Sequence, residues 1–266
     1  MYATNYVRAT SLDEAVAKLN GAEDGKFLGG GQTLIATMKQ RLAAPTDVID
    51  LTRIPELKGI SVEGDTVTIG AACTHSEVAG SDDVKRALPS LAGLADGIGD
   101  PAVRNRGTLG GVLANNDPAA DYPAAAMALD AVIHTTKGSH NAADYFTGMF
   151  ETALADDEII TRVTFKVPQK AGYEKFRNQA SRYALCAVFV AQHGSGGARV
   201  AVTGSGSDGV FRVGQMEEAL NGNWSADAVS SIAVDPGMML ADIHGSAEYR
   251  AHLVPVLAGR AVAKAG

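Results

Sequence analysis

The chain has 266 residues with 30 Asp and Glu against 23 Lys and Arg, a formal net charge of −7, and no basic run of five or more, so the electrostatic footprint of a nucleic-acid groove is missing. Hydrophobic residues at 46% and charged residues at 20% describe a globular chain with a real interior, and without a signal-peptide core or an apolar stretch of spanning length a cytoplasmic protein is expected. Cys73 and Cys186 lie far apart with no CxxC, so this chain's thiols cannot assemble an iron–sulfur cluster or a structural zinc site, and any metal is expected in a partner.

In chain order, Ser11-Leu12-Asp13-Glu14 has the spacing of a capping box, and Leu12, Ala15, Val16 and Leu19 repeat at helical intervals, which predicts a helix from Ser11 to Asn20. Lys26-Phe27-Leu28 reads as a strand running into Gly29-Gly30-Gly31, after which Leu34, Ile35 and Met38 continue with helical spacing to Leu42. Val48 to Leu51 is a further strand, completing a βαβ-like unit. Ile60 to Glu63 and Thr66 to Ile69 flank Gly64-Asp65 as a hairpin. Thr74 to Glu77 offers a second capping box, and Val84 to Ala95 is helical material interrupted by Pro89.

The stretch from Gly97 to Asp121 is rich in Gly, Asn, Asp and Pro and holds neither a period of 2 nor of 3.6, so it reads as a long ordered loop. Tyr122 to Leu129 then looks helical, Ala131 to Thr136 extended, and Ile159 to Val167 a strand closed by Pro168. Beyond Gly172, strands are expected at Leu185 to Ala191 and Arg199 to Thr203, and helices at Met216 to Leu220, Ala226 to Ile232 and His252 to Ala263.

Several motifs point away from chemistry. The lone GxGxxG, Gly204 to Gly209, follows a strand but leads into the extended Val210 to Val213, so a hairpin turn is the better reading than a dinucleotide fingerprint, which must open a helix. The six histidines form no HExxH or mixed ligand pattern and read as ordinary core or surface residues, and no serine sits in a nucleophile elbow; no catalytic residue is assigned. Two glycine clusters remain, Gly29-Gly30-Gly31-Gln32-Thr33 and Thr108-Leu109-Gly110-Gly111. Each alone is either a tight turn or an anion-binding concavity of backbone N–H groups; together, in an acidic protein, they suit one diphosphate.

FLGGGQTLIATMKQRLAAPTDVIDL and RNRGTLGGVLANNDPAADYPA, with FRNQASRYALCAVFVA and IHGSAEYRAHLVPVLAGRAV further on, resemble the FAD-binding medium subunit of the molybdenum hydroxylases, the carbon monoxide dehydrogenase and xanthine dehydrogenase superfamily. The family's signatures read approximately AGGxS and T-[IL]-GG; here Gly29 stands for the alanine and Thr33 for the serine. The resemblance implies an α+β fold of the FAD-binding PCMH type (vanillyl-alcohol oxidase-like). Residues 1–170 would form the FAD-binding domain, with subdomains of about 1–55 and 56–170, and residues 171–266 a small α+β C-terminal domain.

It implies FAD as cofactor, with Leu28, Gly29, Gly30, Gly31, Gln32, Thr33 and Leu34 and the segment from Thr108 through Gly110 and Gly111 wrapping the diphosphate with N–H groups and the two threonine hydroxyls. Asp121 would bond the ribose side or the flavin's polar chain, or else make an Asx-type turn before Tyr122. Ile98 and Ile160 would be apolar contacts, Tyr183 would lie against the isoalloxazine ring, and Lys175 would bring positive charge to the reduced flavin. The implied partners are a [2Fe–2S] small subunit and a molybdopterin large subunit in a dimer of heterotrimers, with electrons passing through FAD to an external acceptor. A stand-alone flavin oxidoreductase of the same fold is the rival. Replacing Gly30 or Gly110 by Val is expected to expel the cofactor, because the branched side chain would occupy the diphosphate's space.

Overall fold

The computed structural model describes residues 1–265. The chain begins with a parallel three-stranded sheet made of β1 (Asn5–Arg8), β2 (Gly25–Leu28) and β3 (Asp47–Asp50) in the order β1-β3-β2, with α1 (Leu12–Asn20) and α2 (Leu34–Lys39) as crossovers. The first strand, NYVR, is mostly exposed and carries no apolar alternation, which is why its sequence is silent. Ser11 caps α1 by accepting from Glu14 N at 3.2 Å. Glu14 instead turns back to Thr10, accepting from its N–H at 2.9 Å and its hydroxyl at 2.7 Å, so the expected box closes one residue early.

A five-stranded antiparallel sheet follows, built from β4 (Ile60–Glu63), β5 (Thr66–Gly70), and, after the intervening helices, β6 (Val132–Thr135), β7 (Ser139–Asn141) and, later in the chain, β10 (Ile160–Lys166); its order is β4-β5-β10-β6-β7. The intervening helices are α3 (His75–Gly80), α4 (Asp82–Ala87), α5 (Pro89–Asp96), α6 (Pro101–Arg104), α7 (Leu109–Asn115) and α8 (Tyr122–Ala128). The capping box on α3 is complete, with Thr74 and Glu77 each bonding the other's backbone. Pro89 opens α5 at its first turn, where a missing N–H costs nothing, so it divides two helices instead of kinking one. The helix α9 (Ala142–Tyr145) and a small hairpin of β8 (Phe146–Gly148) and β9 (Glu151–Thr152) lie between β7 and β10.

The stretch from 97 to 121 departs from its reading as a loop. It folds into α6 and α7, capped by Asp100 and Thr108, and a helix of one or two turns is too short to display a period.

The last layer is an antiparallel sheet of β11 (Lys170–Arg177), β12 (Ala184–His193), β13 (Gly197–Thr203) and β14 (Phe211–Arg212), in that order, with α10 (Gly214–Gly222), α11 (Ala226–Ser230) and α12 (Ala247–Lys264). Along β12 the side chains alternate between two cores. Phe189 and Ala191 join the core that contains α8, while Cys186, Val188 and Val190 face Met216, Leu220, Val254 and Leu257 of the terminal helices. The Gly204 to Gly209 segment connects β13 to β14 with Gly204 and Gly209 at φ +85° and +98°, and Val202 pairs with Phe211; it is a hairpin connection. No helix among the described residues is long and apolar enough to cross a membrane.

Candidate functional site

The turn after β2 lies at the carboxyl end of a parallel sheet, where open α/β arrangements expose backbone N–H groups to ligands. Leu28 O still accepts from Leu51 N at 2.9 Å, closing the ladder. Beyond it the pattern stops: among the described residues none of the five N–H groups from Gly29 to Thr33 finds an acceptor in the protein. Gly31 takes φ +75°, the left-handed region that a side chain would strain. Thr33 precedes α2 without capping it, so its exposed hydroxyl is uncommitted.

The second glycine segment is built differently. Thr108 Oγ1 accepts from Gly111 N at 3.2 Å, Leu109 N donates to Cys73 O at 3.0 Å, and Gly110 N donates to Ala71 O at 2.8 Å. His75 N completes this seam by donating to Gly107 O at 3.0 Å. The amides of 109–111 are thus committed within the protein, which corrects the expectation that both segments would offer theirs. Thr108 oxygen accepts, so its own O–H remains available to donate.

The two segments meet, and the glycines are what let them. A Cβ on Gly30 would stand 2.0 Å from Arg106 O and 2.5 Å from Gly107 Cα, and one on Gly29 would stand 2.8 Å from Thr108 Oγ1. At Gly110 the added carbon would strike Ala71 Cβ at 2.7 Å. Contrary to the expectation for Gly30 and Gly110, the missing Cβ makes room for the protein's own packed neighbours, not for a ligand.

Around this junction opens a cleft of about 480 Å³. Leu28 through Leu34, Ile98, Thr108, Gly110, Gly111, Asp121, Ile160 and Tyr183 all line it. Lys175 does not. Its ammonium stands behind the wall, 2.8 Å from Asp121 Oδ1 with the side chain 4% exposed. Tyr173 also donates its hydroxyl to Asp121, so β11 grips this carboxylate from the last sheet. Burial pushes the Asp121 carboxyl up, and Lys175 and Tyr173 oppose that by stabilising the charged form. The Asx-turn alternative is not realised, since Asp121 makes no cap to α8. Tyr183 is 51% exposed at the end of a turn closed by Asn178 N to Tyr183 O at 2.8 Å, and partial burial with the nearby Asp117 and Asp121 raises its hydroxyl's pKa.

Glu158, Arg182 and His75 are among the lining residues that escaped the sequence. Glu158 is buried, and although burial pushes its carboxyl up, hydrogen bonds from Thr135, Ala155 N and His140 hold it below the ordinary range. Arg182 reaches across to Gly99 O at 3.2 Å. His75, read as an ordinary histidine, sits in the wall with 2% exposure, its pKa lowered to about 4 by burial and by the Arg104 charge. The Thr74–Glu77 box signalled where its helix starts, but nothing local showed that 73–75 runs beside 107–109.

Residues 2–170 match the family described as the FAD binding domain in molybdopterin dehydrogenase. Over almost the whole chain there is 37% identity to the nicotine 6-hydroxylase medium subunit of Paenarthrobacter nicotinovorans, covering 99% of this chain and 98% of that one. The chain belongs to the FAD-binding medium subunits of the molybdenum hydroxylases. Similarity to the carbon monoxide dehydrogenase medium chain of Hydrogenophaga pseudoflava is 34% identity over 97% of this chain and 95% of the relative. A solved structure of reconstituted CO dehydrogenase from Oligotropha carboxidovorans superposes with a TM-score of 0.90 at 33% identity, covering 99% of this chain and 98% of that chain. The fold of this medium subunit is accordingly the α+β PCMH type, and its cofactor is FAD.

The residues present fit that cofactor. A run of five unpaired amide donors, one of them at a left-handed glycine, is a concavity for a diphosphate in an acidic protein. The remaining walls are mainly apolar, as an extended dinucleotide requires.

Proposed function

We propose that this medium subunit carries electrons through FAD from a [2Fe–2S] small subunit, itself fed by a molybdopterin large subunit, to an external acceptor, within a dimer of heterotrimers. The observation that carries the site assignment is the pair of glycine segments, one with free amides and one sewn into the protein, meeting at one cleft. When bound, FAD accepts electrons singly and releases them in pairs. The chain's own part is to hold and shield it.

In this reading the amides of Gly29 to Thr33 grip the diphosphate, with the hydroxyls of Thr33 and Thr108 as further donors. Ile98 and Ile160 exclude water along the cofactor, and Tyr183 lies against the flavin ring. Asp121 gives the cleft a fixed polar wall, and Lys175 acts through Asp121 instead of touching the cofactor. The same reading divides the chain into an FAD-binding domain over 1–170, with subdomains of about 1–55 and 56–170, and a C-terminal domain over 171–266; in support, the first two sheets end at Lys166 and the last begins at Lys170. Partner-borne clusters are supported by the two buried, separated thiols, and their unpaired state accords with a cytoplasmic setting.

The test is the purified chain's flavin content and its reduction. One FAD per chain, reduced only after the iron–sulfur and molybdopterin subunits are added with their substrate, is the expected result. A chain that binds no flavin overturns the site, and reduction of the isolated chain by a small molecule supports the stand-alone oxidoreductase instead.

A further inference from the structure

Among the described residues, His75 is the one buried polar side chain of the cleft wall that the protein leaves without a partner. Its side chain makes no hydrogen bond among the described residues, and Nδ1 is fully enclosed as well as unpaired. An enclosed N–H left without an acceptor costs more than an enclosed lone pair left without a donor, so the proton belongs on Nε2. That nitrogen is aimed at the glycine junction. A carbon added to Gly107 would stand 2.5 Å from Nε2 and 2.9 Å from Cδ2, while the carbon added to Gly30 would come within 2.5 Å of Gly107 Cα from the other side. Gly107 is thus a bare backbone link between the imidazole edge and the first glycine segment.

The ring is also held in place. Tyr122 packs on it with ring centroids 5.4 Å apart at 42°, and the backbone N–H of His75 is tied to Gly107 O at 3.0 Å. With burial and Arg104 lowering its pKa to about 4, the ring is uncharged at neutral pH, so it presents one N–H donor and no net charge.

We infer that His75 is a cofactor-binding residue whose Nε2–H donates to an oxygen of the FAD diphosphate at the point where the two glycine segments meet. This rests on the reading of the cleft as the FAD site. It gives the sewn segment a side-chain donor through its neighbour where its own amides are already engaged. The donor is preset, since Tyr122 and Gly107 fix the ring before any ligand arrives.

The experiment uses the full chain stripped of flavin and titrated with FAD, for wild type, His75→Leu and His75→Gln. Leu removes the donor and is expected to weaken FAD binding about ten- to a hundred-fold, as for a lost hydrogen bond to a charged group. Gln restores a donor of similar reach and should recover most of that affinity. The 31P spectrum of bound FAD should show one diphosphate resonance displaced in the Leu variant and returned in the Gln variant, a change that a packing role alone would not produce. Independently of either variant, 15N spectra of the wild-type ring should place the proton on Nε2 and show that nitrogen shifting when FAD is added. Wild-type protein that fails to bind FAD would overturn the cofactor site as a whole. Wild-type binding with an equal affinity and spectrum in His75→Leu, or a ring proton found on Nδ1, would overturn this inference and leave the site standing.

Discussion

Two glycine-rich segments of similar composition do different work in this molecule. From Gly29 to Thr33 the backbone donors are left open, and from Leu109 to Gly111 every amide is committed to Cys73, Ala71 or Thr108. Glycine in the first permits a left-handed turn at Gly31, whereas glycine in the second lets α7 press against Ala71 and against Gly29 and Gly30. A glycine motif therefore has to be read through its hydrogen bonds before it is read as a ligand cradle. One segment forms the grip and the other is the anvil that positions it.

The largest effect should come from forcing the two apart. Gly30→Val drives its side chain into Arg106 and Gly107 backbone, and Gly110→Val drives one into Ala71, so each is expected to cost about 3–5 kcal/mol of stability and to abolish FAD retention. Thermal unfolding with flavin analysis checks this, and a variant with wild-type stability that merely lacks flavin would restore the ligand-space explanation. Next comes the shared wall. Lys175→Met leaves Asp121 buried with Tyr173 as its remaining side-chain partner, and should destabilise by about 3–5 kcal/mol in denaturant unfolding. An unchanged midpoint would show that β11 does not hold the cleft through this pair.

Smaller changes separate the two threonines. Thr108→Val removes the cap on Gly111 N and should lower stability by about 1 kcal/mol, while Thr33→Val, which caps nothing, should leave stability unchanged and affect only FAD affinity. Equal stability losses at both positions would erase the distinction between grip and anvil. The smallest expected effect is Tyr122→Phe. Its hydroxyl is buried without a partner, so removing it should be neutral or stabilising by about 1 kcal/mol, read as a raised unfolding midpoint.

Much of this was legible in the residues. The α3 capping box, the β4–β5 hairpin and the strand-turn-helix around Gly29 carry local signals strong enough to survive in the fold. β11 left no trace because KAGYEKFR is a half-exposed edge strand with no alternation, and α6 and α7 left none because two short helices in a Gly- and Asn-rich stretch cannot express a period. Part of the site's lining was readable from the two glycine signatures, yet its hydrogen-bond assignment was not. Whether Gly110 N meets a ligand or Ala71 O depends on a neighbour some forty positions earlier, and the same long-range pairing hid His75; a separate long-range contact, from β11 to Asp121, set Lys175 behind that carboxylate.

Amide hydrogen exchange, followed residue by residue with and without FAD, tests the division of labour most directly. The amides of Gly29 to Thr33 should exchange fast in flavin-free protein and become strongly protected at saturating FAD, while those of Leu109 to Gly111 stay protected in both states. Protection that appears at 109–111 on FAD binding and leaves 29–33 unchanged would contradict it.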